Sequence, residues 1–295
     1  MLEGYCTALI TPMRDGTVDE EAFRAFVEWQ IAEGVAGLLP CGTTGESPTL
    51  SHDEHKRITE ICIDMANGRV PVLAGTGSNS TAEAIELTRH AKQVGADAAL
   101  LVMPYYNKPT QEGMYQHFKA VQDAVAIPQY IYNIPGRSVV NMSVETMARL
   151  AELPNIVGVK DATADLTRPT LTRLAIPSDF NQMSGEDGTA IGFFAQGGHG
   201  CISVTANVAP RACAEFYAAW KAGDAAKALE LHTRLMPLHD VLFCESNPIP
   251  VKYAAYLLGK CRSEMRLPMC APASTSKRRI EATLRALGLL KDSAA

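Results

Sequence analysis

Residues 129–161 read QYIYNIPGRSVVNMSVETMARLAELPNIVGVKD. An apolar run, Gln129–Asn133, enters a turn containing Pro135 and Gly136. Val144–Glu152 then carries helical period, and Ile156–Lys160 is again apolar up to its last residue. Strand, helix and strand within about 30 residues make one βα unit with the strand that follows it.

The same texture recurs along the chain. Apolar runs stand at Tyr5–Ile10, Val35–Pro40, Val70–Ala74, Ala98–Met103, Gln129–Asn133, Ile156–Lys160, Phe180–Ser184 and Gly200–Val204. Between them the periodicity predicts helices over Asp19–Glu33, Ser51–Ala66 and from Ser80, then Gln111–Val125, Val144–Glu152, Asp165–Leu174, Thr189–Gln196 and Pro210–Ala222. Ser51-His52-Asp53-Glu54 and Ser80-Thr81-Ala82-Glu83 both have the form of a capping box. Continuously apolar strands alternating with helices indicate a parallel sheet covered by helices. Eight such units predict an α/β fold, the (β/α)8 TIM barrel. An open doubly wound sheet is the competing class. It often carries a glycine-rich nucleotide turn after its first strand, where this chain has Thr11-Pro12. The strand pattern stops near Val204. After Gly223 come helical stretches over Asp224–Met236, Pro250–Leu258 and Thr275–Leu289. The expected division is therefore a barrel over 1–223 and a small C-terminal helical appendage over 224–295.

Composition restricts the partners. Of 295 residues, 47% are hydrophobic, enough for a large core. Lys+Arg 27 against Asp+Glu 32 gives a net charge of −5, which argues against nucleic-acid binding. The basic run Lys277-Arg278-Arg279 reads as the solvated face of a helix. No apolar stretch is long enough for a membrane span, and the start lacks the pattern of a signal peptide. Eight irregularly spaced cysteines with no Cys-x-x-Cys pair suggest free thiols and a cytoplasmic location.

In a barrel of this kind the chemistry lies at the carboxyl ends of the strands. There the sequence puts Gly42-Thr43-Thr44-Gly45-Glu46, Pro104-Tyr105-Tyr106-Asn107, Tyr132-Asn133 with Arg137, Lys160-Asp161, and Ser184-Gly185-Glu186-Asp187. Lys160 ends a strand with no other charge. A desolvated lysine favours its neutral amine, which attacks carbonyls to form a Schiff base. The alternative is a strand-end lysine paired with Asp161 or another carboxylate. Tyr132 and Tyr106 are either proton carriers or packing residues. Thr43-Thr44 offers a seat for a carboxylate, or is simply a tight turn. Arg137 is suited to a second carboxylate, or is a surface arginine. Glu186 and Asp187, after the seventh strand, argue against a phosphorylated substrate. His52 and His55 lack a third convergent partner, so the pair reads as the solvated surface of a capped helix start and a metal site is not expected.

GTTGE (42–46), PYYNKP (104–109), YNIPGR (132–137), VGVKDA (157–162), GGHGCISVTANVAP (197–210) and ESNPIPVK (245–252) resemble the dihydrodipicolinate synthase / N-acetylneuraminate lyase family over essentially the whole chain. The resemblance implies a lyase that needs no cofactor or metal. It implies condensation of pyruvate with L-aspartate 4-semialdehyde to 4-hydroxy-tetrahydrodipicolinate, in diaminopimelate and lysine biosynthesis. On this basis Lys160 forms the imine, and Tyr132, Thr43 and Tyr106 relay protons, with Tyr106 reaching into a neighbouring subunit of a homotetramer. Thr44 takes the pyruvate carboxylate, Arg137 takes that of the semialdehyde, and Gly185 and Ile202 line the pocket through their backbones. Ser47, His52, His55, Asn79, Glu83 and Tyr105 match an L-lysine effector site, which replaces the solvated-surface reading of the two histidines. The competing activity within the family is a pyruvate-dependent aldolase acting on a sugar acid, as in N-acetylneuraminate lyase, which would not need Arg137. A non-catalytic effector-binding barrel is the third reading and predicts no covalent adduct.

Overall fold

The computed structural model describes residues 2–176 and 179–290. Eight strands follow the chain: β1 (Gly4–Ala8), β2 (Gly37–Leu39), β3 (Leu73–Gly75), β4 (Ala98–Val102), β5 (Gln129–Asn133), β6 (Ile156–Asp161), β7 (Asn181–Ser184) and β8 (Gly200–Ser203). Helices alternate with them: α1 (Glu20–Ala32), α2 (His52–Ala66), α3 (Thr81–Gln93), α4 (Gln111–Ala124), α5 (Val144–Ala151), α6 (Arg168–Ala175), α7 (Ala190–Ala195) and α8 (Pro210–Lys221). Three more close the chain: α9 (Ala225–Val241), α10 (Ile249–Leu257) and α11 (Ser274–Ala286). The class is α/β, a (β/α)8 TIM barrel with C-terminal helices.

The chain divides into two compact units. One joins Met1–Glu3 to Pro71–Ile202, and the other joins Gly4–Val70 to Ser203–Ala295. In the first, β3 to β8 pair in chain order, each parallel to the next. Parallel strands covered by helices are buried on both faces, so apolar side chains dominate them. Beneath α3, α4 and α5 lies a core that includes Leu101, Met114, Phe118, Val121, Ile131, Met147 and Leu150. In the second unit β1 and β2 pair in parallel. In the same unit Phe23, Phe26, Leu38, Ile58, Phe216, Ile280 and Leu284 are fully buried or nearly so. The tail belongs to this unit: α9 packs on α8 and α11, and α10 packs on α11.

Local chemistry sets the element ends. Asp19 caps α1 by accepting from the Ala22 N–H at 3.1 Å. The expected capping box at Ser51 and Glu54 is formed in both directions. The one expected at Ser80 and Glu83 is not. Glu83 accepts from the Ser78 hydroxyl instead, and Ser78 Oγ takes the Ser80 N–H at 3.0 Å. Helix α6 starts at Arg168, later than the expected Asp165, because Asp165 folds a turn that accepts from Thr167 N and Oγ1 at 2.9 and 2.7 Å. Helix α9 continues past Met236 through Pro237 to Val241. A small antiparallel ribbon, Met13–Arg14 with Thr17–Val18, turns at Asp15 and Gly16, both at positive φ. None of the eight cysteines forms a disulfide. Among the described residues no helix is long and apolar enough to cross a membrane.

Candidate active site

The pairing of β5 with β6 places the two central side chains. Gln129 pairs Ile156, but Tyr130 pairs Gly158, so Val157 is an extra residue on β6. A bulge shifts the register by one. Beyond it Tyr132 lies opposite Lys160; without the bulge it would lie opposite Val159. Gly158 makes room for the shift: a Cβ there would stand 2.5 Å from the Asn181 carbonyl oxygen and 2.6 Å from the Tyr130 ring. Lys160 and Tyr132 are each 5% exposed. Lys160 Nζ stands 4.1 Å from the centroid of the Tyr132 ring.

Asp161 does not neutralise Lys160 through an ion pair. Its Oδ2 accepts from Arg168 Nε at 2.8 Å, and its Oδ1 accepts from the Thr163 N–H and hydroxyl at 2.9 and 2.6 Å. Arg168 also donates to the Met142 carbonyl at 3.0 Å. This buried pair ties β6 to the segment that follows Arg137 and leaves the Lys160 amine over an aromatic face. Next to it, burial first, and Asp187 second, push the Glu186 carboxyl up, against the opposing pull of Lys160 and Arg137. These groups thus share one electrostatic neighbourhood at the ends of β5, β6 and β7. Gly185 has no room for a side chain, since a Cβ would lie 2.6 Å from Ala162 Cβ, and its N–H donates to the Asp161 carbonyl at 2.6 Å. Ile202 is fully buried on β8.

Arg137 is exposed, on a short turn, Pro135–Ser138. Asn133 fixes the base of this loop: it donates to Asn141 Oδ1 at 2.8 Å and accepts from the Met142 N–H at 3.1 Å. Tyr106 is 90% exposed at φ 72°. A bulky side chain in the left-handed region is strained, and strain of that kind concentrates at functional positions.

Thr43 and Thr44 belong to the other unit. Their turn is closed by Gly45 N–H to Gly42 O at 3.1 Å and Glu46 N–H to Thr43 O at 3.2 Å. Thr11 Oγ1 donates to the Gly45 carbonyl at 2.8 Å. Glu46 is buried at φ 58°, and its carboxylate pairs with Lys252, which is 0% exposed. The Arg266 N–H donates to Glu46 Oε2 at 3.1 Å. Asn247 Nδ2 donates to the Thr44 hydroxyl at 3.0 Å. The two motifs GTTGE and ESNPIPVK therefore meet. The resemblance carried both, but reading the residues gave no role to Glu46, Asn247 or Lys252. Opposite charges, one in each motif, were the available signal.

The six residues matched to an effector site fall into two groups. Asn79, Glu83 and Tyr105 come together in the first unit, where Asn79 Nδ2 donates to the Tyr105 carbonyl at 3.1 Å. Burial, and then Glu83, push the Tyr105 phenol up, against hydrogen bonds from Ser78 and Asn79. In the second unit Ser47 opens the short 3-10 turn Ser47–Thr49 and exposed His52 opens α2. His55, one turn further along α2, is buried. Among the described residues no three His, Cys, Asp or Glu side chains converge as metal ligands.

The family model described as the dihydrodipicolinate synthetase family matches residues 1–287. The chain is 63% identical over 290 residues to a protein of Rhodospirillum centenum named 4-hydroxy-tetrahydrodipicolinate synthase, covering 98% of this chain and 100% of that one. It is similar to the crystal structure of the chloride inhibited dihydrodipicolinate synthase of Acinetobacter baumannii complexed with pyruvate. That likeness has a TM-score of 0.96 at 47% identity, over 98% of this chain and 100% of the other. Dihydrodipicolinate synthase of Cyanidioschyzon merolae with lysine bound gives a TM-score of 0.95 at 36% identity, over 98% and 99%.

Proposed function

Because the chain belongs to the dihydrodipicolinate synthetase family, we propose that it is a lyase condensing pyruvate with L-aspartate 4-semialdehyde to 4-hydroxy-tetrahydrodipicolinate in lysine biosynthesis. One observation carries the mechanism: Lys160 is a buried amine over the Tyr132 ring, and its sequence neighbour Asp161 is bound to Arg168. The amine attacks the pyruvate ketone, and loss of water gives the imine. Loss of a methyl proton gives the enamine, which attacks the aldehyde carbon. The amino group of the semialdehyde then attacks the imine carbon, and Lys160 leaves as the ring closes.

Tyr132, Thr43 and Tyr106 relay protons, and Thr44 holds the pyruvate carboxylate. Arg137 holds the second carboxylate by its fork, and Gly185 and Ile202 line the pocket. These assignments rest on the resemblance. The register of Tyr132 with Lys160 and the exposure of Arg137 support them. Tyr106, exposed and held at positive φ, suits contact with a second copy of the chain, in a homotetramer. We further read 1–223 as the catalytic barrel, 224–295 as the helical tail, and the cytoplasm as the location.

Borohydride trapping with pyruvate, followed by peptide mass spectrometry, tests the reaction. An adduct on Lys160 is expected, and an unmodified lysine with full turnover would sink the mechanism. Arg137→Ala should still form that adduct while losing on the order of 100-fold in kcat/KM for the semialdehyde, since a charge-assisted fork is removed. A sugar-acid lyase would not need that arginine, and full synthase activity in the variant would remove it from the site.

L-Lysine is the effector we assign to Ser47, His52, His55, Asn79, Glu83 and Tyr105, and the lysine-bound relative supports this. Glu83 suits the effector's ammonium. Tyr105, next in sequence to Tyr106, links that cluster to the proton relay. Turnover should fall as lysine is raised to millimolar levels, and Glu83→Ala should remove the effect. Activity indifferent to lysine would refute the assignment.

A further inference from the structure

Thr44 Oγ has one proton to give and two lone pairs to offer. Asn247 Nδ2, 3.0 Å away, donates to one of those lone pairs. With that side occupied by a donor, the hydroxyl keeps its O–H to donate to an anion. Both residues are buried, Thr44 at 2% and Asn247 at 5% exposure, so water does not scramble the direction. The segment that carries Asn247 is held to the Thr44 turn a second time. Five residues on, Lys252 pairs with Glu46, and Arg266 N–H takes the other oxygen of that carboxylate at 3.1 Å. The Arg266 guanidinium extends the clamp, donating to Thr49 O at 2.8 Å and to Glu54 Oε2 at 2.6 Å.

We propose that Asn247 is a positioning residue for the pyruvate carboxylate. It fixes the acceptor side of the Thr44 hydroxyl, so that the O–H is held ready for the substrate. This rests on the function proposed above, in which Thr44 binds that carboxylate. It makes the C-terminal segment a working part of the substrate site and not only a packed tail.

The test uses Asn247→Leu, which removes the donor at similar volume, and Asn247→Asp, which reverses it. An ionised carboxylate can only accept, so the Thr44 O–H turns to it and is lost to the substrate. Both variants should raise the pyruvate KM by on the order of tenfold or more, with the larger rise in Asn247→Asp, and with the semialdehyde KM and the saturated kcat little changed. A Thr44→Val background supplies the decisive comparison. There Asn247→Leu should add almost nothing to the pyruvate KM, because Asn247 acts through Thr44. An unchanged KM in Asn247→Leu, or an equal further rise in the Thr44→Val background, would overturn the proposal. Failure of the wild-type protein to form the Lys160 adduct would instead count against the proposed reaction, so the two failures are distinguishable.

Discussion

Lys160→Met is expected to fold, to gain no borohydride-trapped adduct with pyruvate, and to lose roughly 10^3-fold or more in kcat/KM. The size follows from the role. Without the amine no imine forms, and no neighbouring group supplies a substitute nucleophile at the same place on β6. Folding should survive because methionine matches the lysine stem in volume and leaves no partner charge stranded, Asp161 being held by Arg168. The neighbouring carboxyl supplies a second readout. Lys160 pulls the Glu186 carboxyl down against the effect of burial, so the variant should raise that carboxyl further. Detection of the adduct on another lysine, with activity kept, would reject Lys160 as the nucleophile.

Lys252→Ala is expected to destabilise the second unit strongly, by about 3–5 kcal/mol in a urea titration. Lys252 and Glu46 have side chains 0% and 1% exposed. Removing the cation strands a buried carboxylate, to which the Arg266 N–H still donates without replacing the lost charge. The double variant Glu46→Gln with Lys252→Met removes both charges together and should recover most of the loss. Equal losses in the single and double variants would mean that packing, not stranded charge, sets the cost. Stability of single domains is about 5–15 kcal/mol, so the single variant should also express poorly.

The fold was legible because its signal is local. All eight apolar runs became strands, and the helices between them start and end within a few residues of the positions their periodicity predicts. Before α6 the boundary moved because the Asp165 side chain had made a competing hydrogen bond. At α3 the start stayed at Ser80 and only the capping box was lost, Glu83 being taken by Ser78. The small ribbon at residues 13–18 escaped periodicity because two residues per strand carry none, although Asp15-Gly16 marked the turn. Individual site residues could be nominated by their place after each strand. Their partners could not, because Asp161 chooses between Lys160 and Arg168 by geometry. Glu46 and Lys252 are likewise more than two hundred positions apart in the chain.

The sequence by itself determined the strand–helix alternation, and with it the class, because burial on both faces of a parallel strand writes an unbroken apolar run. It also placed Lys160 and Tyr132 at strand ends. Only the tertiary structure decided that they are neighbours. That depends on one extra residue, Val157, being accommodated in a bulge on β6, and on Gly158 leaving room for the Tyr130 ring. Register is a property of two strands together. A shift by one residue changes which side chains meet without changing the apolar pattern of either strand, so no reading of one strand alone contains it.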